Sequence, residues 1–221
     1  MRLPAELPDL PVRDVLDAVT AALDAHGAAV LVAPPGTGKT TLVPLALGAH
    51  YPGRILVAEP RRLAARAAAA RMSALLGEPV GRTVGYAVRG DSRTSADTRI
   101  EVVTSGLLLR RLAADPELTG VAAVLLDECH ERHLDADLLL ALLLDARAGL
   151  RPDLRLLATS ATVATDRLAA LLGDPEPDGT GDGRRAPVLE VAARMYPVTV
   201  THLPPARGER IEACVARAVR A

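Results

Sequence analysis

Short apolar runs alternate along this chain with stretches in which apolar residues recur every three or four positions. The runs at 28–32, 54–58, 83–88, 100–103, 121–126 and 154–158 are rich in Val, Leu, Ile and Ala. Runs of that length without a period of two predict strands buried on both faces. Helical spacing occupies 12–25, 40–48, 63–76, 106–114, 135–148 and 164–172. In the first of these, Val12, Val15, Leu16, Val19 and Leu23 share a face and Gly27 supplies a stop. Pro44 is compatible with the first turn of the second. Such alternation demands crossover connections, so the pattern predicts an α/β fold, a doubly wound and mainly parallel sheet with helices on both faces. Ligands of these sheets lie beyond the C-terminal strand ends.

The end of the chain reads differently. Residues 173–187 are rich in Gly, Asp and Pro without periodicity, which predicts a loop. After 188–191 and Tyr196-Pro197-Val198, helical spacing returns only at 211–221, in a tail with no core of its own. The expected division is a main domain at 1–192 and a separate tail at 193–221.

Composition narrows the class. A chain of 221 residues can bury one full core. Aromatics make up 1% with no Phe or Trp, so that core is aliphatic. A net charge of −1 requires any nucleic-acid surface to be local. Cys129 and Cys214 are too few and too far apart for a disulfide framework. The first residues lack an apolar signal region, and no stretch is long and uncharged enough to span a bilayer. A soluble, cytoplasmic protein without a membrane partner is expected.

Lys and Arg together number 26, and only one of them is lysine. That residue, Lys39, sits in Ala33-Pro34-Pro35-Gly36-Thr37-Gly38-Lys39-Thr40, where the apolar run 28–32 ends and a helix begins. A compact ammonium on a flexible stem fits between phosphates better than a rigid guanidinium fork. Glycines let successive N–H groups converge on phosphate oxygens, and Thr40 supplies a hydroxyl for Mg²⁺. Ala33 replaces the first glycine of the usual phosphate-loop pattern. Pro35, Gly36, Thr37, Gly38, Lys39, Thr40 and Thr41 are therefore candidates for binding ATP. The run 121–126 delivers Asp127 and Glu128 at a second strand end. Asp127 suits Mg²⁺ binding and Glu128 suits activation of water, the complement of the lysine loop in phosphoryl transfer on adjacent strand ends.

Further strings identify the class. Asp127-Glu128-Cys129-His130-Glu131-Arg132 contains a DExH tetrad, and Ser160-Ala161-Thr162 follows the next apolar run. With Glu59-Pro60-Arg61-Arg62-Leu63-Ala64-Ala65, Val84-Gly85-Tyr86 and Val103-Thr104-Ser105-Gly106, the chain resembles the DEAH/RHA group of superfamily 2 helicases over nearly its whole length. Within that group it is similar to the bacterial HrpB type. Cys129 departs from the alanine of the group's name. The resemblance implies a RecA-like P-loop NTPase domain that binds ATP and Mg²⁺. It implies catalytic roles for Lys39, Asp127, Glu128 and His130, with Thr40 and Asp127 at the metal. It assigns Arg61, Arg62, Thr104 and Ser105 to the backbone of a single nucleic-acid strand, RNA favoured over DNA. Ser160, Ala161 and Thr162 match the motif coupling nucleotide state to strand grip, and His130 matches a link to the partner domain. Arg71 aligns with an arginine stacking on adenine. The tail then reads as a linker and the start of a truncated second RecA-like domain of the same polypeptide. That second domain carries the arginine fingers, so the isolated chain is expected to hydrolyse ATP weakly.

Other readings are weaker. Cys129, His130 and His133 give only three zinc candidates, two of them inside the tetrad. His130-Glu131-Arg132-His133 is not H-E-x-x-H. Thr159-Ser160 has no glycine-flanked elbow of a nucleophile. A general P-loop ATPase without a nucleic-acid substrate, or a nucleotide-binding regulatory module, remains as an alternative. Absence of Phe and Trp favours a grip on sugar-phosphate over base stacking.

Overall fold

A computed structural model describes residues 1, 7–162, 165–173, 184–192 and 199–220. Among the described residues, eight strands form one sheet in the order β4-β3-β5-β2-β6-β7-β1-β8. They are β1 (Ala28–Val32), β2 (Arg54–Glu59), β3 (Val84–Val88), β4 (Asp91–Arg93), β5 (Ile100–Thr104), β6 (Val121–Leu126), β7 (Arg155–Ser160) and β8 (Val188–Glu190). All pairings are parallel except β3 with β4. The helices are α1 (Leu16–His26), α2 (Lys39–His50), α3 (Arg62–Leu75), α4 (Ser105–Ala114), α5 (Leu134–Gly149), α6 (Asp166–Leu172) and α7 (Ile211–Arg220).

Alternate strand residues point to opposite faces, and two cores result. Leu31, Val57, Val102, Leu125 and Leu157 pack with Leu23 of α1, Leu45 of α2 and Met72 of α3. Val30, Leu56, Val103, Val124 and Leu156 pack with Leu108 of α4, Leu143 of α5 and Leu172 of α6. Burial on both faces explains why the strands read as continuous apolar runs. The α/β, doubly wound and mainly parallel expectation is met.

Four differences have local causes. Residues Pro11–Val15 form a 3₁₀ turn before α1, with a proline at its start. Strand β4 is an exposed hairpin partner made of Asp-Ser-Arg, with no apolar signal to betray it. Helix α2 opens at Lys39, so Pro44 lies beyond its first turn and leaves the Thr40 carbonyl without its helical donor. Strand β7 extends past Ala158 through Thr159 and Ser160, which pair with Leu31 and Val32 of β1. Gly27 ends α1 at φ 67°, and a Cβ there would lie 2.5 Å from the Arg147 guanidinium. Most of the 173–187 segment and all of Tyr196-Pro197-Val198 fall outside the described residues, as do residues 164 and 221 of two expected helices. No described helix is long and apolar enough to cross a membrane.

Candidate nucleotide and nucleic-acid site

The loop after β1 turns sharply because Gly36 and Gly38 adopt φ of 80° and 93°. At Gly38 a side chain would also crowd Leu10, since a Cβ would sit 2.8 Å from Leu10 Cδ1. The 3₁₀ turn buttresses the loop further, with Val12 N–H donating to the Thr37 carbonyl at 3.1 Å. Thr37 turns its hydroxyl inward to the Pro34 carbonyl at 2.7 Å. Ala33, at the place of the missing glycine, is fully buried and donates its N–H to Ser160 at 2.9 Å. Among the described residues, the N–H groups of Gly36, Gly38, Lys39 and Thr40 make no hydrogen bond within the protein. Free donors at a helix N-terminus form a cradle for an anion.

Lys39 is nearly buried, and its Nζ lies 2.7 Å from Glu128 Oε1. Thr40 Oγ1 donates to Asp127 Oδ2 at 2.7 Å. The chain thus brings together its lysine loop and its Asp-Glu pair. Their strand ends are not neighbours, however, because β7 lies between β1 and β6. That correction has a consequence. From the intervening strand, buried Thr159 donates to Asp127 Oδ1, which also accepts the Glu128 N–H at 3.0 Å. Thr159, set aside as a nucleophile on the sequence, is thus placed to orient Asp127, and its one signal for that is its place directly before Ser160-Ala161-Thr162. The Thr40 hydroxyl and the Asp127 carboxylate are oxygen ligands suited to a hard cation, and the N–H groups of the loop suit the phosphate chain beside it.

Glu128 and Arg132 flank the three-residue 3₁₀ turn Cys129–Glu131 at φ 56° and 53°, unusual for residues with a Cβ. His130 reaches from this turn to the residue just after β7, accepting the Ala161 N–H on Nδ1 at 3.2 Å. Its proton is thereby assigned to Nε2, which faces Glu128 Oε2 at 3.3 Å. Ser160 Oγ bonds within its own tripeptide, to the Thr162 carbonyl at 3.0 Å. The half-buried Cys129 donates its Sγ to the Leu126 carbonyl at 3.3 Å, and burial, followed by the Asp127 charge, pushes the thiol up to about 12. Glu128, His130 and Glu131 place ligand atoms within 4.8 Å of one another, but Lys39, Ala161 and Arg61 already engage them. No cysteine joins that group.

Beside the carboxylates, Glu59 and Thr104 are register partners at the ends of β2 and β5. Arg61, Arg62, Thr104 and Ser105 therefore share one edge. Ser105 is buried, the two arginines are exposed, and Arg62 donates to the Arg89 carbonyl at 2.9 Å. Arg61 pairs with Glu131. Glu59 is buried, and burial followed by the Asp127 charge raises it to about 7. Arg71 is exposed on α3, and no hydrogen bond or ion pair among the described residues joins it to the phosphate loop.

Comparison with known proteins agrees with this geometry. The DEAD/DEAH box helicase family model matches residues 14–171. The ATP-dependent RNA helicase HrpB of Escherichia coli (strain K12) is 48% identical over 209 residues, covering 94% of this chain and 24% of that protein. The ATP-dependent RNA helicase HrpA homolog of Haemophilus influenzae is 35% identical over 198 residues, covering 88% of this chain and 14% of that one. The crystal structure of Escherichia coli DEAH/RHA helicase HrpB superposes with a TM-score of 0.85 at 46% identity, over 96% of this chain and 26% of that one. The chain thus spans about a quarter of the length of its HrpB relatives. By sequence, fold and the pairing of its lysine loop with an Asp-Glu strand end, the chain belongs to the DEAD/DEAH box helicase family.

Proposed function

We propose that this chain is the first motor domain of an ATP-dependent nucleic-acid helicase or translocase acting on a single strand, RNA in preference to DNA. The observation that carries the reading is the convergence of Lys39 and Thr40 on Glu128 and Asp127, beneath four N–H groups without a partner among the described residues. Those N–H groups and Lys39 bind the β- and γ-phosphates of ATP. Thr40 and Asp127 would hold Mg²⁺, which would neutralise charge on the phosphate oxygens. Glu128 orients water for in-line attack on the γ-phosphorus and accepts its proton as the bond to ADP breaks. Thr159 keeps Asp127 in place. His130 and Ser160-Ala161-Thr162 carry the change in nucleotide state toward the strand and the partner domain.

Arg61, Arg62, Thr104 and Ser105 grip the sugar-phosphate backbone, a contact indifferent to base sequence. Arg71 stacks on the adenine. Residues 193–221 link this domain, 1–192, to a second RecA-like domain that supplies arginine fingers worth ~10³–10⁵ in rate. The family relationship and the RNA helicases among the relatives support RNA as substrate. ATP hydrolysis by the natural-length protein, with and without single-stranded RNA, tests the proposal against Lys39→Ala. Lysine-dependent hydrolysis stimulated by RNA supports it. Lysine-dependent hydrolysis indifferent to RNA and DNA would leave a general P-loop ATPase in its place.

A further inference from the structure

We infer that Glu131 is an internal stand-in for a nucleic-acid phosphate at Arg61, whose displacement is passed to Glu128 and His130 through the turn they share. This inference rests on the reading of Arg61 as a backbone contact. One oxygen of Glu131 pairs with the Arg61 guanidinium and the other lies 2.9 Å from His133 Nε2. The Arg61 side chain is 60% exposed and that of Glu131 only 20%, so a strand arriving from solvent meets the cation first. Next to the pair opens a cleft of 260 Å³, lined by Pro60, Ser105, Gly106, His133, Leu134 and Asp135. Pro60 adjoins Arg61, and Glu131 holds His133, so a phosphate entering the cleft competes for Arg61 with the carboxylate already there.

The turn that carries Glu131 is built to respond. Both flanking residues, Glu128 and Arg132, hold left-handed backbone without being glycine, a conformation that persists only while neighbouring contacts impose it. Asp137 of α5 fixes the far end, its carboxylate 2.9 Å from Arg132 Nη2. At the near end, the Glu131 N–H donates to the Glu128 carbonyl at 3.0 Å. Removing the Arg61 contact therefore loosens the turn toward Glu128, which faces Lys39, and His130, which holds Ala161. An ordinary charged rim contact has no such second attachment.

The test uses the natural-length protein, a 5′-fluorescein oligouridylate followed by anisotropy, and ATP hydrolysis with and without that RNA. Glu131→Gln is expected to bind the RNA about two- to five-fold more tightly at low salt, the range an ion pair of this exposure supplies. Its RNA-independent hydrolysis rises and its stimulation by RNA falls. In an Arg61→Gln background, the same change leaves RNA affinity where it was. Glu131→Ala repeats the comparison without the amide, and melting curves establish that each variant is folded. Unchanged or weaker RNA binding by folded Glu131→Gln, or an equal gain without Arg61, overturns the inference while the functional reading stands. Tighter binding with unchanged RNA-independent hydrolysis overturns the relay through the turn. Wild-type protein that neither binds RNA nor responds to it removes the functional reading and the inference together.

Discussion

Replacing Glu59 with glutamine isolates the electrostatic cost of crowding carboxylates at the ends of β2 and β6. Glu59 is 3% exposed, and the hydrogen bond its carboxylate accepts from the Arg61 N–H is long at 3.4 Å. Asp127 stands on the neighbouring strand, its N–H bonded to Ala58 at 2.9 Å. Burial first, and the Asp127 charge second, raise Glu59 from an ordinary 4.5 to about 7. The folded state therefore holds a proton that the unfolded chain has released. Stability falls as pH rises through that window and stays reduced above it. At about 1.4 kcal/mol per pH unit, the displacement corresponds to roughly 3 kcal/mol at the alkaline end. Glutamine keeps the shape and the acceptor oxygen without the charge. Urea unfolding of wild type and Glu59→Gln at about pH 5 and pH 8 reads the effect as a difference, which cancels the other titrating groups. The variant should gain about 1–3 kcal/mol over wild type between the two pH values. A stability difference that is the same at both would refute the argument that Glu59 is forced to carry its charge in a poorly solvated place.

The remaining predictions concern the site and the packing beneath it. Lys39→Ala should abolish ATP binding as read by a fluorescent nucleotide analogue, because the chain has no other lysine to replace it. Glu128→Gln should keep ATP affinity while single-turnover hydrolysis falls by about 10²–10⁴, the range for loss of a general base. Thr159→Val should leave folding intact and weaken Mg²⁺ affinity about 10–100-fold in a titration followed by nucleotide fluorescence, since Asp127 loses the donor that aims it. Gly85→Ala should lower the melting temperature by the equivalent of about 1–3 kcal/mol, because the new Cβ would sit 2.4 Å from the Arg93 carbonyl oxygen and part β3 from β4.

The fold class was legible because a parallel sheet covered on both faces leaves a strong linear trace, namely apolar runs separated by helical spacing. The glycines and lysine of the phosphate loop were legible for a different reason. Their chemistry is local, a turn feeding directly into a helix N-terminus. The exposed hairpin strand β4 left no comparable trace, since Asp-Ser-Arg buries nothing. Neither Thr159 nor Glu131 could be assigned a partner from spacing, because Asp127 and Arg61 lie far away along the chain and near only after the sheet has formed.

By itself, then, the sequence determined the alternation of strands and helices, the phosphate loop, the acidic pair at a strand end and the family to which these belong. Those features rest on nearest-neighbour chemistry and on periodicity, both of which are written along the chain. Only the tertiary structure decided that β7 separates the lysine loop from the acidic pair and supplies the hydroxyl that aims Asp127. It alone seated Glu59 beside that carboxylate and put Glu131 on Arg61. Strand order follows from which crossover packs both cores at once, and hydrogen-bond partners from distances of a few ångströms. Neither quantity is a property of any short segment.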